Sequence, residues 1–283
     1  MTDRTKKKPL FPFPYYGGKV RHLEHILPLL KHDGVACYVE PFFGAGSVFF
    51  NLFPRFPVET INDINGDVIH FFKTLRDHPA ELITALELTP FSREELKTAQ
   101  TLPPAAGIER ARRTFLCFTL ARNAAKKGTW KYTRQMSRRG LSSAVNNYLS
   151  RIEALPEIVK MLRSVQIESR SAIETIKIWD SPETLFYLDP PYVPATRQAS
   201  ARQPYENEMT PADHEALLDL ILDCAGAFAI SGYSSPLYED KLAGWDRHAF
   251  TAPCYASPLK ENRARREEVV WTNYELAIGG LFS

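Results

Sequence analysis

In TLFYLDPPYV (184–193), a run of apolar and aromatic residues ends in an aspartate, two prolines and a tyrosine. A carboxylate at the end of a buried strand is costly unless it faces a cleft or a polar ligand, so Asp189 is a candidate for chemistry. Pro190 and Pro191 stiffen the backbone and remove two amide donors, which leaves the nearby carbonyls as acceptors. Tyr192 adds a flat ring beside them. Together the four residues form a holder for a planar group bearing –NH₂, with acceptors for its two hydrogens and a ring to stack on its face. A simple strand stop with a proline turn explains the prolines but not the residues on either side.

Two further stretches have residue types suited to a ligand. In VEPFFGAGS (39–47), a strand ending in Glu40 passes through Pro41, Phe42, Phe43, Gly44 and Gly46 toward a helix. Such a turn presents amides at the carboxyl edge of a parallel sheet, where open α/β sheets bind ligands. The pattern is not GxGxxG, which argues against a dinucleotide. About twenty residues on, Asp63 closes the next strand, a position from which a carboxylate accepts both hydroxyls of a ribose. Upstream, YYGGK (15–19) opens a helix; Gly17 and Gly18 permit close backbone approach, and Lys19 can hold a carboxylate or phosphate. The competing reading there is a surface turn with a solvated lysine. Cys37, Cys117, Cys224 and Cys254 lie far apart without zinc-site spacing, so they read as buried small apolar residues and no metal is expected.

The elements that must position these residues follow from hydrophobic period. VRHLEHILPLLK (20–31) has helical spacing, CYVEPFF and VETIND read as strands, and INGDVIHFFKTLRD returns to helical period. That βαβα alternation indicates a parallel sheet covered by helices. From 79 to 162 helices are expected, with serine caps at the start of FSREELKTAQ and SSAVNNYLSRIEAL, while KKGTWKYTRQMSRRG lacks a clean period and reads as a loop or a short irregular element. Strands resume with SVQIES, TLFYLDPP and GAFAISGY, the last preceded by the capped helix TPADHEALLDLILDC. RHAFTAP and EEVVWTNYEL suit an antiparallel pair closing the sheet. The expected division is therefore a discontinuous catalytic domain, 1–78 and 163–283, with 79–162 inserted.

Charge separates the insertion from the rest. The chain of 283 residues has a formal net charge of +2, yet 110–152 contains eleven basic residues and no acidic ones, leaving 24 basic against 33 acidic elsewhere. One segment is suited to a polyanion. Its candidate contacts are Arg122, Asn123, Lys126, Lys127, Trp130, Lys131, Arg134, Arg138 and Arg139, with Arg134, Arg138 and Arg139 read as phosphate contacts. KENRARR (260–266) is a second basic cluster, placed between the last two strands. No run has the length and character of a signal peptide or membrane span, so a cytoplasmic protein is expected, with no obligate protein partner evident.

With YYGGK, VEPFFGAGS, DPPY, AISGY (229–233), SPLYEDKLAGW (235–245) and REEVVWTNY (266–274) in that order, the chain resembles the Dam-like DNA adenine methyltransferases. The resemblance implies a Rossmann-like, mostly parallel sheet with an antiparallel closing strand, S-adenosylmethionine as cofactor, double-stranded DNA as partner, and a mainly helical target-recognition insertion. It implies that Tyr15 and Lys19 lie against the cofactor, that Glu40 to Gly46 form the loop on its methionine side, and that Asp63 holds its ribose. Asp189 would then touch both cofactor and target amine, and Tyr192 would stack on adenine. ARNAAKKGTWKY is only a partial match to the family's basic hairpin, so the recognition sequence does not follow. The readings set beside this one are a methyltransferase acting on RNA or a protein amide, and a DNA-binding relative without catalysis. The family pattern, with aspartate before PPY, implies adenine in DNA, and a complete cofactor set is superfluous in a mere binder.

Overall fold

The computed structural model describes residues 8–30, 34–103, 105–122, 127–136, 140–193, 208–253 and 265–276. Its strands are β1 (Cys37–Glu40), β2 (Val58–Asn62), β3 (Gln166–Glu168), β4 (Thr184–Leu188), β5 (Ala227–Tyr233), β6 (Asp246–Pro253) and β7 (Arg265–Thr272). The α-helices are α1 (Leu23–Ile26), α2 (Gly66–Asp77), α3 (Pro79–Glu87), α4 (Arg93–Thr101), α5 (Gly107–Leu120), α6 (Ser143–Leu162), α7 (Ala172–Trp179), α8 (Pro211–Asp223) and α9 (Pro236–Lys241). By packing the chain forms two units: 1–20 with 44–51 and 65–167, and 21–43 with 52–64 and 168–283.

The sheet runs β3-β2-β1-β4-β5-β7-β6. β1 pairs parallel with β2 and β4, and β4 pairs parallel with β5. β7 is antiparallel to both β5 and β6, so the expected closing pair exists and its later member lies inside the sheet. All five residues of β4 are buried, which is why TLFYL reads as a continuous run rather than an alternation. Phe186 of β4 stacks on Phe228 of β5 at 4.6 Å, and Leu217, Leu218 and Ile221 of α8 join the same core. A capping box between Thr210 and Asp213 starts α8. The chain order reverses between β1 and β4, and such a switch point leaves a crevice at the carboxyl ends of the two strands.

The other unit is built on helices α2 to α6 around phenylalanines. Phe13 stacks on Phe118 at 4.8 Å and meets Phe71 edge-on at 5.0 Å. Ser92 and Ser142 cap α4 and α6 by accepting the amides of Glu95 and Val145, as the sequence indicated.

Two local expectations are corrected. The stretch 20–31 is not one helix: a 3₁₀ turn at Lys19–Arg21, the single turn of α1 and a 3₁₀ turn at Leu27–Leu30 replace it. Pro28 has no amide to donate and interrupts the ladder. The glycine turn likewise leads only into the 3₁₀ turn Phe49–Asn51. Among the described residues no helix is long and apolar enough to cross a membrane.

Candidate active site

The carboxyl ends of β1 and β4 bring Glu40 and Asp189 to the switch point. Glu40 is 2% exposed and accepts a hydrogen bond of 2.7 Å from the Tyr38 hydroxyl. Burial pushes its carboxyl up to about 8; the Tyr38 bond works against that rise, and the neighbouring Asp189 charge adds to it. Tyr38 is held well above the usual phenol range, first by burial and then by the charge of Glu40, so it remains the donor. The turn after Glu40 is fixed by Asn62, whose Nδ2 donates to the Pro41 carbonyl at 3.0 Å and whose own carbonyl accepts the Phe43 amide at 2.9 Å. Asn62 Oδ1 also accepts the Arg170 amide, so this buried side chain ties the loop to the segment before α7 and sets the place of Asp63 beside it.

Asp189 is held from β5. The Ser231 hydroxyl lies 2.9 Å from Asp189 Oδ1 and 3.3 Å from the Leu188 carbonyl. It has a single hydrogen, and the charged, closer carboxylate is the stronger acceptor. Tyr187 donates to Ser231 at 3.2 Å, which turns the serine hydrogen away from β4's own tyrosine. Tyr187, Ser231 and Asp189 thus form a directed chain in which each hydroxyl fixes the next group. Pro190 is buried, Pro191 and Tyr192 are partly so, and the Tyr192 ring lies 4.4 Å from that of Tyr233. Sequence reasoning missed Asn62, Tyr187 and Ser231 as site residues. Only the AISGY motif carried a signal, and it assigned no role.

In the helical unit, Lys19 is 2% exposed, which excludes a solvated surface lysine. Its amide donates to Ser47 Oγ at 3.1 Å and its ammonium to the Gly17 carbonyl at 3.0 Å, so the two glycine motifs are tied together. Gly18 donates to the Tyr15 carbonyl at 3.1 Å. The Tyr15 ring rests on Phe118 at 5.3 Å and over Gly44. A Cβ at Gly44 would sit 2.8 Å from Tyr15 Cδ1, and with φ of +52° this position takes only glycine comfortably. Gly46, at φ +65°, completes the turn.

The basic segment resolves into two groups. Arg112 bonds Glu109 and Glu95 at 2.7 Å each, Arg113 bonds Glu109 at 2.6 Å, and Arg110 bonds Asp67 at 2.9 Å. Arg151 caps the Phe11 ring at 3.8 Å and donates to the Phe11 carbonyl. These four arginines hold the scaffold, and the acidic partners of Arg110, Arg112 and Arg113 precede the segment in sequence. Beyond α5, the Arg122 amide bonds the Thr129 carbonyl and the Lys131 amide the Leu120 carbonyl, each at 2.8 Å, forming a short antiparallel pairing where a loop or short irregular element was expected. Arg122, Lys127 and Arg134 are exposed, and the Arg122 guanidinium lies over Tyr132 at 5.4 Å. Trp130 instead packs between Phe91 and Tyr132 under Arg93, and burial with nearby Arg151 lowers the Lys131 ammonium. Asn123, Lys126, Arg138, Arg139, Cys254 and 260–264 lie outside the described residues.

A family model described as D12 class N6 adenine-specific DNA methyltransferase matches residues 15–240. Type II methyltransferase M1.LlaDCHI of Lactococcus lactis subsp. cremoris is 28% identical over 282 residues, spanning 94% of this chain and 96% of that protein. The DNA N-6-adenine-methyltransferase of Escherichia phage P1 is 39% identical over 72 residues, 25% of this chain and 9% of the relative. A solved precorrin 8w decarboxylase of Methanobacterium thermoautotrophicum superposes over 90% of both chains at 12% identity with a TM-score of 0.36, too distant to bear on the site.

Proposed function

Because the chain belongs to the D12 class N6 adenine-specific DNA methyltransferase family and is thereby a DNA adenine methyltransferase, we propose that its methyl donor is S-adenosylmethionine and that Asp189-Pro-Pro-Tyr192 receives an adenine flipped out of double-stranded DNA. The observation that carries this reading is the held carboxylate of Asp189 at the carboxyl edge of β4, next to the strand whose end leads into the glycine loop. The donor set suits the cofactor's parts. Asp63, nearly buried at the end of β2, matches a ribose diol, Tyr15 offers a ring, and Glu40 with the 41–46 loop suits an amino-acid tail. When bound, S-adenosylmethionine supplies an electrophilic methyl on sulfur.

The chain's own residues prepare the base. An exocyclic adenine nitrogen is a weak nucleophile because its lone pair is conjugated with the ring. The Asp189 carboxylate and the Pro190 carbonyl accept its two hydrogens, drawing the nitrogen toward tetrahedral geometry and freeing the lone pair on one side. Tyr192 stacks on the ring so that this side is fixed. Catalysis is then positioning and preorganised electrostatics, with Ser231 and Tyr187 keeping the carboxylate from rotating. Extruding the base costs a few kcal/mol of unstacking. Phosphate contacts from Arg122, Lys127, Lys131 and Arg134, with Lys126, Arg138 and Arg139, offset that cost, while Trp130 supports the segment they stand on.

The test is the identity of the product. Purified protein, S-adenosylmethionine and unmethylated duplex DNA are incubated, and the digested nucleosides are separated by mass spectrometry. N6-methyl-2′-deoxyadenosine appearing only with the cofactor is expected; methylated deoxycytidine alone, or no methylated nucleoside, would overturn the reading.

A further inference from the structure

Tyr192 is reached by two residues that face each other across one rung of the sheet. Tyr233 on β5 and Glu268 on β7 are directly paired in the antiparallel ladder. The Tyr233 ring lies 4.4 Å from that of Tyr192, with the planes inclined by 54°. The Tyr192 hydroxyl donates to Glu268 Oε1. Glu268 is 3% exposed and stands beside Val269, Val270 and Trp271, all buried. A carboxylate in such surroundings costs stability, whereas an apolar residue at the same place would add to it. Its second oxygen is also addressed: His22 Nε2 lies 3.6 Å from Oε2, and the His22 ring is 5.5 Å from Phe250, the residue paired with Glu268 from β6.

We infer that Glu268 is a positioning residue for methyl transfer, anchoring the Tyr192 hydroxyl so that the ring stands at a fixed angle for stacking on the extruded adenine, with Tyr233 setting the tilt. This rests on the reading of Tyr192 as the stacking ring. A tyrosine ring joined to the backbone by two rotatable bonds can swing after the rigid prolines, and only a bond at its far end removes that freedom. The hydroxyl is then engaged with the protein, and the base meets the face of the ring. A buried glutamate on the closing strand thereby acts on a residue 76 positions earlier.

The inference is tested by a mutant cycle on duplex DNA containing the mapped target, read as kcat, KM for DNA and the fluorescence of 2-aminopurine placed at the target base. Glu268→Ala should lower kcat about 10- to 100-fold, the worth of one hydrogen bond to a charged group, with S-adenosylmethionine affinity unchanged. Glu268→Gln keeps an oxygen that accepts the hydroxyl and should restore kcat to within a few-fold of wild type. Tyr192→Phe should reproduce the Glu268→Ala loss, and combining the two should cost no more than either alone. Losses that multiply in the double variant, or a Tyr192→Phe enzyme with wild-type kcat, would overturn the role of Glu268. Tyr192→Ala separates the underlying reading: full turnover and normal 2-aminopurine signal in that variant would mean that Tyr192 does not stack at all, whatever Glu268 does.

Discussion

Glu40 sits in an environment far from what its type suggests. It is buried beside a second carboxylate, and its proton is retained to about pH 8 in the folded protein against an ordinary value of 4.5. The folded state therefore binds more protons than the unfolded chain between those two values, so its stability falls as pH rises through that window. The contribution is fully present below about 4.5 and is lost as pH passes about 8. Urea denaturation of wild type and Glu40→Gln between pH 5 and 8.5 should show the wild type losing ground to the variant by up to about 1.4 kcal/mol per pH unit. Parallel stability curves would mean that Glu40 is ionised throughout. A positive charge beside the end of β1 would let the buried carboxyl ionise at neutral pH.

Among the elements, α5 and the pairing that follows it divide the basic segment into scaffold and surface. Arg112 is largely buried among Glu109, Glu95 and Thr89, and its bond is the main reason the Glu109 carboxyl lies below its usual range. Arg122, Lys127 and Arg134 stand exposed on or just beyond the short pairing, whose Gly128 is fastened to α4 by Gln100 at 2.9 Å. Arg112→Ala should lower unfolding free energy by about 1–3 kcal/mol with little change in the salt slope of DNA binding. Charge reversal at Lys127 and Arg134 should do the opposite, weakening DNA binding several-fold and flattening the slope of log K against log salt, with the denaturation midpoint nearly unchanged. Equal effects of both on binding would mean that the segment acts only as a folding unit. Summed charge cannot make this distinction, because the partners of Arg110, Arg112 and Arg113 precede the acid-free run and were counted with the remainder.

At the level of the whole molecule, the sheet order brings the ends of β1 and β4, and with them Glu40 and Asp189, to one switch point. The strands were legible because β1, β4 and β5 are apolar runs stopped by turn residues, and the proposed acceptor group was legible because Asp189 to Tyr192 are contiguous. What supports them was not. Ser231 reaches Asp189 and Glu268 reaches Tyr192 only through the pairing register of β4, β5 and β7, which no local period encodes. Asn62 looks like the end of an ordinary strand until its amide is seen clamping Pro41 and Arg170. The broken helix at 20–31 has the opposite cause: its apolar spacing is helical throughout, and a single proline at 28 outweighs it. All of this converges on one carboxylate. The most direct measurement is single-turnover methyl transfer by Asp189→Ala, with cofactor and DNA binding followed separately by calorimetry and by filter retention at low salt. The account predicts a loss of at least about 1,000-fold in the transfer rate, the scale of removing a preorganised acceptor, with DNA retention kept. Transfer at the wild-type rate would contradict it.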